Sequence, residues 1–281
     1  MIENLNIGFI GQGYIGKNYA DDFEARGYSV VRYSLEDPFI KNKEKIADCD
    51  IVFIAVPTPT TPDGFDGHIV EEAVQMVGDG KIAVIKSTII PGTTERLQSA
   101  YPGIIILNSP EFLSETTAAY DAAYPPQNII GVPVDTERHQ KAATHVLSVL
   151  PLASASLVCK SAEAEIFKYI HNLNGYVQIV LFNMFYDLTK NFGGDWNTIL
   201  GAIQADPFMV GRYADPVHKS GRGAGGHCFI KDFATFTDLY ERCVRDTEGV
   251  NALHAIGEKN KKLLKDSKKD TELLEGVYGK E

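Results

Sequence analysis

Short apolar runs alternate with amphipathic stretches through the first 160 residues. Asn6-Ile7-Gly8-Phe9-Ile10 reads as a buried strand, and further strands fall at about 28–33, 51–56, 82–87, 104–108, 128–132 and 154–159. Helical spacing fills the intervals near 41–47, 68–78, 92–100, 113–122 and 136–149. Strands alternating with helices predict a parallel, doubly wound α/β sheet whose strand carboxyl ends share one rim, where ligands bind. From Ser161 the pattern changes to one long helix, with Glu163 and Glu165 in its first turn. Ile166, Ile170, Leu173, Val177, Val180, Met184 and Leu188 recur at three and four, predicting a buried stripe. Phe167, Leu181, Phe182 and Phe185 add apolar surface on other sides, so the helix is expected to join domains or subunits. Lys168 and Asn172 lie one turn apart on another face.

The first strand runs directly into Gly11-Gln12-Gly13-Tyr14-Ile15-Gly16, and helical spacing follows as far as Arg26-Gly27. Strand, glycine turn and helix in that order form a dinucleotide-binding fingerprint and make the sheet Rossmann-like. Gly11 turns the chain, Gly13 admits the pyrophosphate, and Gly16 lets helix and strand approach. The second strand ends in Arg32-Tyr33-Ser34. An NAD protein usually carries an acid near there to grip the ribose, and Ser34 does this less strongly, although Glu36 is close. Arg32 fits either a 2′-phosphate or a solvated strand edge.

Composition narrows the class. The chain has 281 residues and 44% hydrophobic content, enough for one sizeable core or two domains, and its formal charge of −10 with no basic block argues against a nucleic-acid surface. Apolar runs such as 51–57 and 103–107 are strand-sized, well short of the roughly 20 residues of a membrane span. Glu3 and Asn6 stand where a leader would be basic and then apolar. Cys49, Cys159, Cys228 and Cys243 lie far apart, so a zinc site or disulfide framework is not expected, and reduced thiols fit the cytoplasm.

One of those cysteines sits in Gly225-Gly226-His227-Cys228-Phe229-Ile230-Lys231-Asp232. Alone it reads as a small buried hydrophobe or as a nucleophile. A thiol is useful to a dehydrogenase that must capture an aldehyde, oxidise the thiohemiacetal and release a thioester to water. Other segments mark the predicted rim: Val56-Pro57-Thr58-Pro59, Lys86-Ser87-Thr88 with Pro91-Gly92-Thr93-Thr94, and Ser109-Pro110-Glu111-Phe112-Leu113. Each has a plain reading as loop punctuation or a helix-terminal charge.

Taken in order with the cysteine motif, these segments resemble the UDP-glucose dehydrogenase family, which includes UDP-N-acetylmannosamine and GDP-mannose dehydrogenases. The resemblance runs from about residue 5 to 240. It implies Cys228 as nucleophile, with Lys168 as its nearby cation. Lys168 and Asn172 would hold the oxyanion, while Asp232, Glu111 and Thr88 would order water and move protons. It places NAD on Gly11, Gly13, Tyr14, Ile15, Gly16, Ser34, Val56, Pro57, Thr58, Thr88 and Glu115, with NADP left open. Phe112, Leu113, Lys168, Asn172, Tyr213, Lys219, Arg222 and Gly225 would face a nucleotide sugar. No metal is implied, and the long helix would form a homodimer.

Two departures accompany the resemblance. Ile230 stands where the family has proline. The family continues into a second nucleotide-type domain, whereas the roughly 30 residues after the helical region here are too few for one. The expected division is therefore 1–160 for the dinucleotide, 161–250 for a helical dimerisation and active-site domain, and 251–281 for a terminal helix or tail. Glu258–Lys269 reads as a terminal helix or frayed tail. His218-Lys219-Ser220-Gly221-Arg222-Gly223 offers two cations and backbone amides for a diphosphate. Two rivals stand beside this reading. One is a one-step dehydrogenase of the 3-hydroxyisobutyrate or 6-phosphogluconate type, which needs no cysteine; the other is a non-catalytic cofactor-binding remnant.

Overall fold

The computed structural model describes residues 5–280. Glu3, weighed above against a leader, lies outside them. The described chain divides into two compact units, one of residues 5–58 with 66–168 and one of residues 59–65 with 169–280.

The first unit contains β1 (Asn6–Ile10), α1 (Tyr14–Ala25), β2 (Ser29–Tyr33) and β3 (Ile51–Ile54). The chain then passes through the short pair β4 (Thr60–Thr61) and β5 (Gly64–Phe65), which belongs to the second unit. It returns with α2 (His68–Gln75), β6 (Ile82–Ile85), α3 (Thr93–Ala100), β7 (Ile105–Asn108), α4 (Ala118–Ala123), β8 (Gln127–Val132), α5 (Glu137–Val149) and β9 (Ala155–Lys160). The seven longer strands form one sheet in the order β2-β1-β3-β6-β7-β8-β9. Ile51–Ile54 and Ile82–Ile85 are buried at every position, as central strands covered by helices on both faces must be. Phe9, Phe23 and Phe53 meet with centroids 5.1–5.4 Å apart and bind α1 to the sheet.

The sheet is parallel, as expected, except at one junction. β7 and β8 pair antiparallel, through Asn108 and Gly131, while every other pair in the sheet is parallel. An antiparallel neighbour needs no full crossover helix. The predicted helix at 113–122 accordingly shrinks to Ala118–Ala123, and 41–47 lies in a 3-10 helix, Ile40–Asp48.

α6 (Ser161–Asn191) starts in the first unit and continues into the second. There follow α7 (Trp196–Ala205), the hairpin β10 (Val217–His218) and β11 (Gly221–Arg222), α8 (His227–Cys243), α9 (Thr247–Ser267) and α10 (Thr271–Tyr278). In the second unit Tyr169, Leu173, Tyr176 and Val180 pack with Phe233, and the Tyr176 and Phe233 rings stack at 4.0 Å. Trp196 closes a smaller cluster with Phe182 and Ile203 and donates to Ala214 O at 3.2 Å.

The long-helix stripe is only partly buried. Leu173 and Val180 are packed, but Ile166, Ile170, Met184 and Leu188 are about half exposed, as are Leu181 and Phe185. The packed side of the helix is centred on Tyr169, Leu173, Tyr176 and Val180, to one side of the predicted stripe, which leaves Ile170 and Leu188 at its edge. The residues read as a terminal helix or frayed tail are well packed: Leu263 and Leu264 are buried, Leu264 and Leu274 enclose Ile230, and Lys269 is only 5% exposed. No helix among the described residues is long and apolar enough to cross a membrane.

Candidate active site

The glycine loop has the shape its sequence requires. Gly11 takes φ +90°, and a Cβ there would strike Ala55 O, while a Cβ on Gly16 would strike Gly11 O. Among the described residues nothing lies within 4 Å of a Cβ built on Gly13, so the backbone before α1 is open. The first turn of α1, which holds Tyr14 and Ile15, carries no acid, leaving its amides to an anion. Gln12 Oε1 is buried without a hydrogen-bond partner among the described residues. These features fit a dinucleotide pyrophosphate. Along the rim, Val56 is half-buried, Pro57 exposed and Thr58 buried, and Ser87 Oγ donates to Val56 O at 2.7 Å. Thr88 is half-buried just beyond β6, and Glu115 is exposed. Ser34 Oγ contacts Glu36 O at 3.2 Å. Arg32 is engaged by Asp21 and Glu24, each at 2.7 Å, so its charge is already balanced.

Glu111 and Lys168 meet in the first unit. Lys168 Nζ donates to Glu111 O at 2.6 Å and to Oε1 at 2.9 Å, and Leu113 N–H donates to Oε2 at 2.7 Å. Both side chains are almost wholly buried, and the Phe112 ring lies 5.6 Å from the ammonium. Two groups that the sequence reading did not assign hold this arrangement. Glu165 was read as a first-turn charge of α6, but its carboxylate accepts from Gly92 N–H, Thr94 N–H and Thr94 Oγ1 at 2.6, 2.9 and 2.6 Å. It thus caps α3 and fixes α6 one turn before Lys168. Burial pushes its carboxyl above the usual range. Lys86, at the end of an all-apolar strand, donates to Ser109 O and Oγ at 3.2 and 3.3 Å and lies 4.3 Å over Tyr19. Burial pulls its pKa down to about 8. An ammonium ending the run Ile82–Ile85 was the available sequence signal.

In the second unit Cys228 is the second residue of α8 and is partly buried. Asp232 follows one turn later on the same helical face, 1% exposed. Asn172 Nδ2 donates to Asp232 Oδ2 at 2.6 Å, and Lys231 Nζ lies 2.5 Å from Oδ1. Tyr213 and Phe229 crowd Gly175 of α6, where a Cβ would come within 2.9 Å of both rings. The proposed diphosphate cations diverge. Lys219 is exposed. Arg222 Nε and Nη2 donate to Asn183 Oδ1 and O at 2.7 and 3.0 Å, and Nη2 pairs with Asp187 at 2.6 Å, so this residue braces α6. Gly225 faces Asp270 and Lys269.

Comparison with known proteins identifies the family of the chain. The UDP-glucose/GDP-mannose dehydrogenase family matches through its NAD binding domain at residues 38–148 and its central domain at residues 162–262. The chain is similar to the UDP-glucose 6-dehydrogenase AglM of Haloferax volcanii, at 28% identity over 82% of this chain and 64% of that protein. Its structure resembles a UDP-glucose dehydrogenase from Pyrobaculum islandicum, with 27% identity, a TM-score of 0.78, and coverage of 92% of this chain and 69% of that one. It also shares its fold with the Mycobacterium tuberculosis 3-hydroxyisobutyrate dehydrogenase, at 15% identity and a TM-score of 0.72, covering 96% and 98% of the two chains. The chain spans less than two thirds of the length of two UDP-glucose 6-dehydrogenase relatives, 64% of AglM and 46% of the putative UDP-glucose 6-dehydrogenase YtcA of Bacillus subtilis. With both domain matches in order along an α/β sheet and a long helix, the chain belongs to the UDP-glucose/GDP-mannose dehydrogenase family and carries its NAD-binding and central domains.

Proposed function

We propose that the protein oxidises the C6 alcohol of a nucleotide sugar, UDP-glucose to UDP-glucuronate, in two successive steps with a covalent bond to Cys228. The observation that carries this reading is the pairing of Cys228 and Asp232 on one face of α8, with Asp232 buried against Asn172. A one-step dehydrogenase has no use for that thiol. Two NAD molecules, bound one after the other, would supply the hydride acceptors for the two oxidations. The residues that would hold each are Gly11, Gly13, Tyr14, Ile15 and Gly16, with Ser34, Val56, Pro57, Thr58, Thr88 and Glu115 along the rim.

In the first step the 6-hydroxyl gives up its proton and a hydride leaves C6, producing an aldehyde. Cys228 Sγ adds to that carbon as a thiolate, favoured by the amide dipoles at the start of α8, and the oxygen takes a proton to form the thiohemiacetal. Loss of a second hydride and the hydroxyl proton gives a thioester. Water then adds, and the carbon–sulfur bond breaks to release the carboxylate and restore the thiol. Lys168 and Asn172 stabilise negative charge on the substrate oxygen. Asp232 and Glu111 order the water and move its protons, with Thr88 helping to order it. Phe112, Leu113, Tyr213 and Lys219 contact the nucleotide sugar. Arg222 acts by bracing α6, since a diphosphate would have to displace Asp187. The half-exposed face of Leu181, Met184, Phe185 and Leu188 is the dimer interface, and the need for a reduced thiol places the protein in the cytoplasm.

The rival is a one-step dehydrogenase on the fold shared with 3-hydroxyisobutyrate dehydrogenase. Incubation with a panel of nucleotide sugars and with 3-hydroxyisobutyrate, each with NAD or NADP, tests the choice by identifying products. A uronate from a nucleotide sugar supports the proposal; turnover of the small hydroxy acid alone contradicts it.

A further inference from the structure

The backbone that delivers Cys228 is held by side chains from the C-terminal end of the second unit. From the end of β11 to the start of α8, alternate backbone amides are engaged. Arg222 N–H donates to Ser267 Oγ at 3.0 Å, Ala224 N–H to Asn260 Oδ1 at 2.7 Å, and Gly226 N–H to Asp270 Oδ2 at 2.8 Å. The carbonyls are engaged as well. Asn260 Nδ2 donates to Ala224 O at 3.0 Å, and Lys269 Nζ to Gly223 O at 2.9 Å and Gly221 O at 3.4 Å. Every partner comes from α9 or the turn into α10, so side chains take the place of a neighbouring strand in satisfying the loop.

The turn is shaped for this contact. Lys268 and Asp270 both adopt left-handed backbone, with φ of 53° and 52°, which disfavours residues other than glycine and needs support from surrounding structure. Lys269, between them, is buried with its ammonium on the loop carbonyls. A Cβ on Gly225 would strike the Asp270 carboxylate, and one on Gly221 would lie 2.5 Å from Ser267 Cβ. These glycines therefore admit the α9–α10 turn, whereas the sequence alone suggested a flexible phosphate loop. Gly226 is the N-cap of α8, two residues before Cys228, so its bond to Asp270 sets where the helix begins and where the sulfur is presented.

We infer that the α9–α10 turn is a clasp on the cysteine loop, with Lys269 and Asp270 as positioning residues for the reaction at Cys228. The catalytic part of this inference rests on the function proposed above; the clasp itself does not. The test uses the full chain with K269M, which removes the donors, and D270G, which removes the acceptor while accepting the left-handed backbone. Amide exchange in the segment 221–228 is expected to accelerate by roughly tenfold in both variants, with α7 unchanged. In the same proteins kcat is expected to fall by roughly tenfold while KM for UDP-glucose and NAD stays within about twofold. K269R is expected to restore most of both, because a guanidinium can donate to both carbonyls. Unchanged exchange at 221–228, or equal acceleration in α7, would overturn the clasp. A loosened loop with unchanged kcat would overturn the positioning role. Because exchange is read without turnover, a protein that oxidises no nucleotide sugar would contradict the proposed function while the exchange result still decided the clasp.

Discussion

Replacing Lys86 with methionine is expected to remove a pH-dependent part of the stability of the first unit. The ammonium is 3% exposed, makes only long bonds to Ser109, and lies over Tyr19. Burial lowers its pKa from 10.5 to about 8. Below about pH 8 both folded and unfolded chains hold this proton, and the full cost of burying the charge is present. Between the two pKa values the folded chain has released a proton that the unfolded chain keeps, so stability rises with pH. A difference of about 2.5 in pKa, at about 1.4 kcal/mol each, makes this rise roughly 3 to 3.5 kcal/mol. Methionine has nearly the same length and no proton to lose. The pH-independent contacts that it forfeits, and the titration of tyrosines and cysteines common to both proteins, drop out of the pH-dependent difference. Urea unfolding followed by circular dichroism from about pH 7 to about pH 11 measures it. The stability of the native protein minus that of K86M is expected to rise by roughly 3 to 3.5 kcal/mol over this range, and parallel profiles would refute a buried, charged Lys86.

Other expectations follow from the same geometry. E165A leaves three donors at the start of α3 without their acceptor, a loss of roughly 3 kcal/mol and roughly 10 °C in Tm, with E165Q less affected; a scan unchanged within about 2 °C would contradict the cap. With Arg32 already balanced by Asp21 and Glu24, titrations are expected to favour NAD, and a preference for NADP of about tenfold, or about 1.4 kcal/mol, would reverse that expectation. M184E with L188E should convert a dimer to monomers that retain their helical circular dichroism, and a light-scattering mass of 30.9 kDa for the unaltered protein would remove the dimer.

What the sequence made legible was local. The run Asn6–Ile10 followed by three spaced glycines specifies strand, turn and helix with little help from distant residues, and the apolar strands Ile51–Ile54 and Ile82–Ile85 show their burial by composition alone. The antiparallel junction between β7 and β8 was not visible, because strand direction depends on the path of residues 109–126 and not on the apolar pattern of either strand. Glu165 illustrates a second limit: a carboxylate in a helix's first turn suits its own helix, and only the fold reveals that it caps another. Lys269 and Asp270 looked like part of a charged tail, since charge usually marks solvent, yet their hydrogen bonds to a distant glycine loop make burial of Lys269 tolerable. The family motifs made Cys228, Asp232, Glu111 and Lys168 stand out as candidates. Their hydrogen-bond partners, including Asp232 on Asn172, emerged from packing.

The measurement that bears most directly on the central claim is the number of nicotinamides reduced per UDP-glucose consumed, with the organic product identified in the same samples. Two reduced nicotinamides and one UDP-glucuronate per sugar are expected for the native protein, because a thiohemiacetal at Cys228 commits the aldehyde to a second oxidation. C228A should bind NAD normally yet form no uronate, and C228S should stall because a hydroxyl is a poorer nucleophile and leaving group. One reduced nicotinamide per sugar in the native protein, or uronate formed by C228A at near the native rate, would contradict the account.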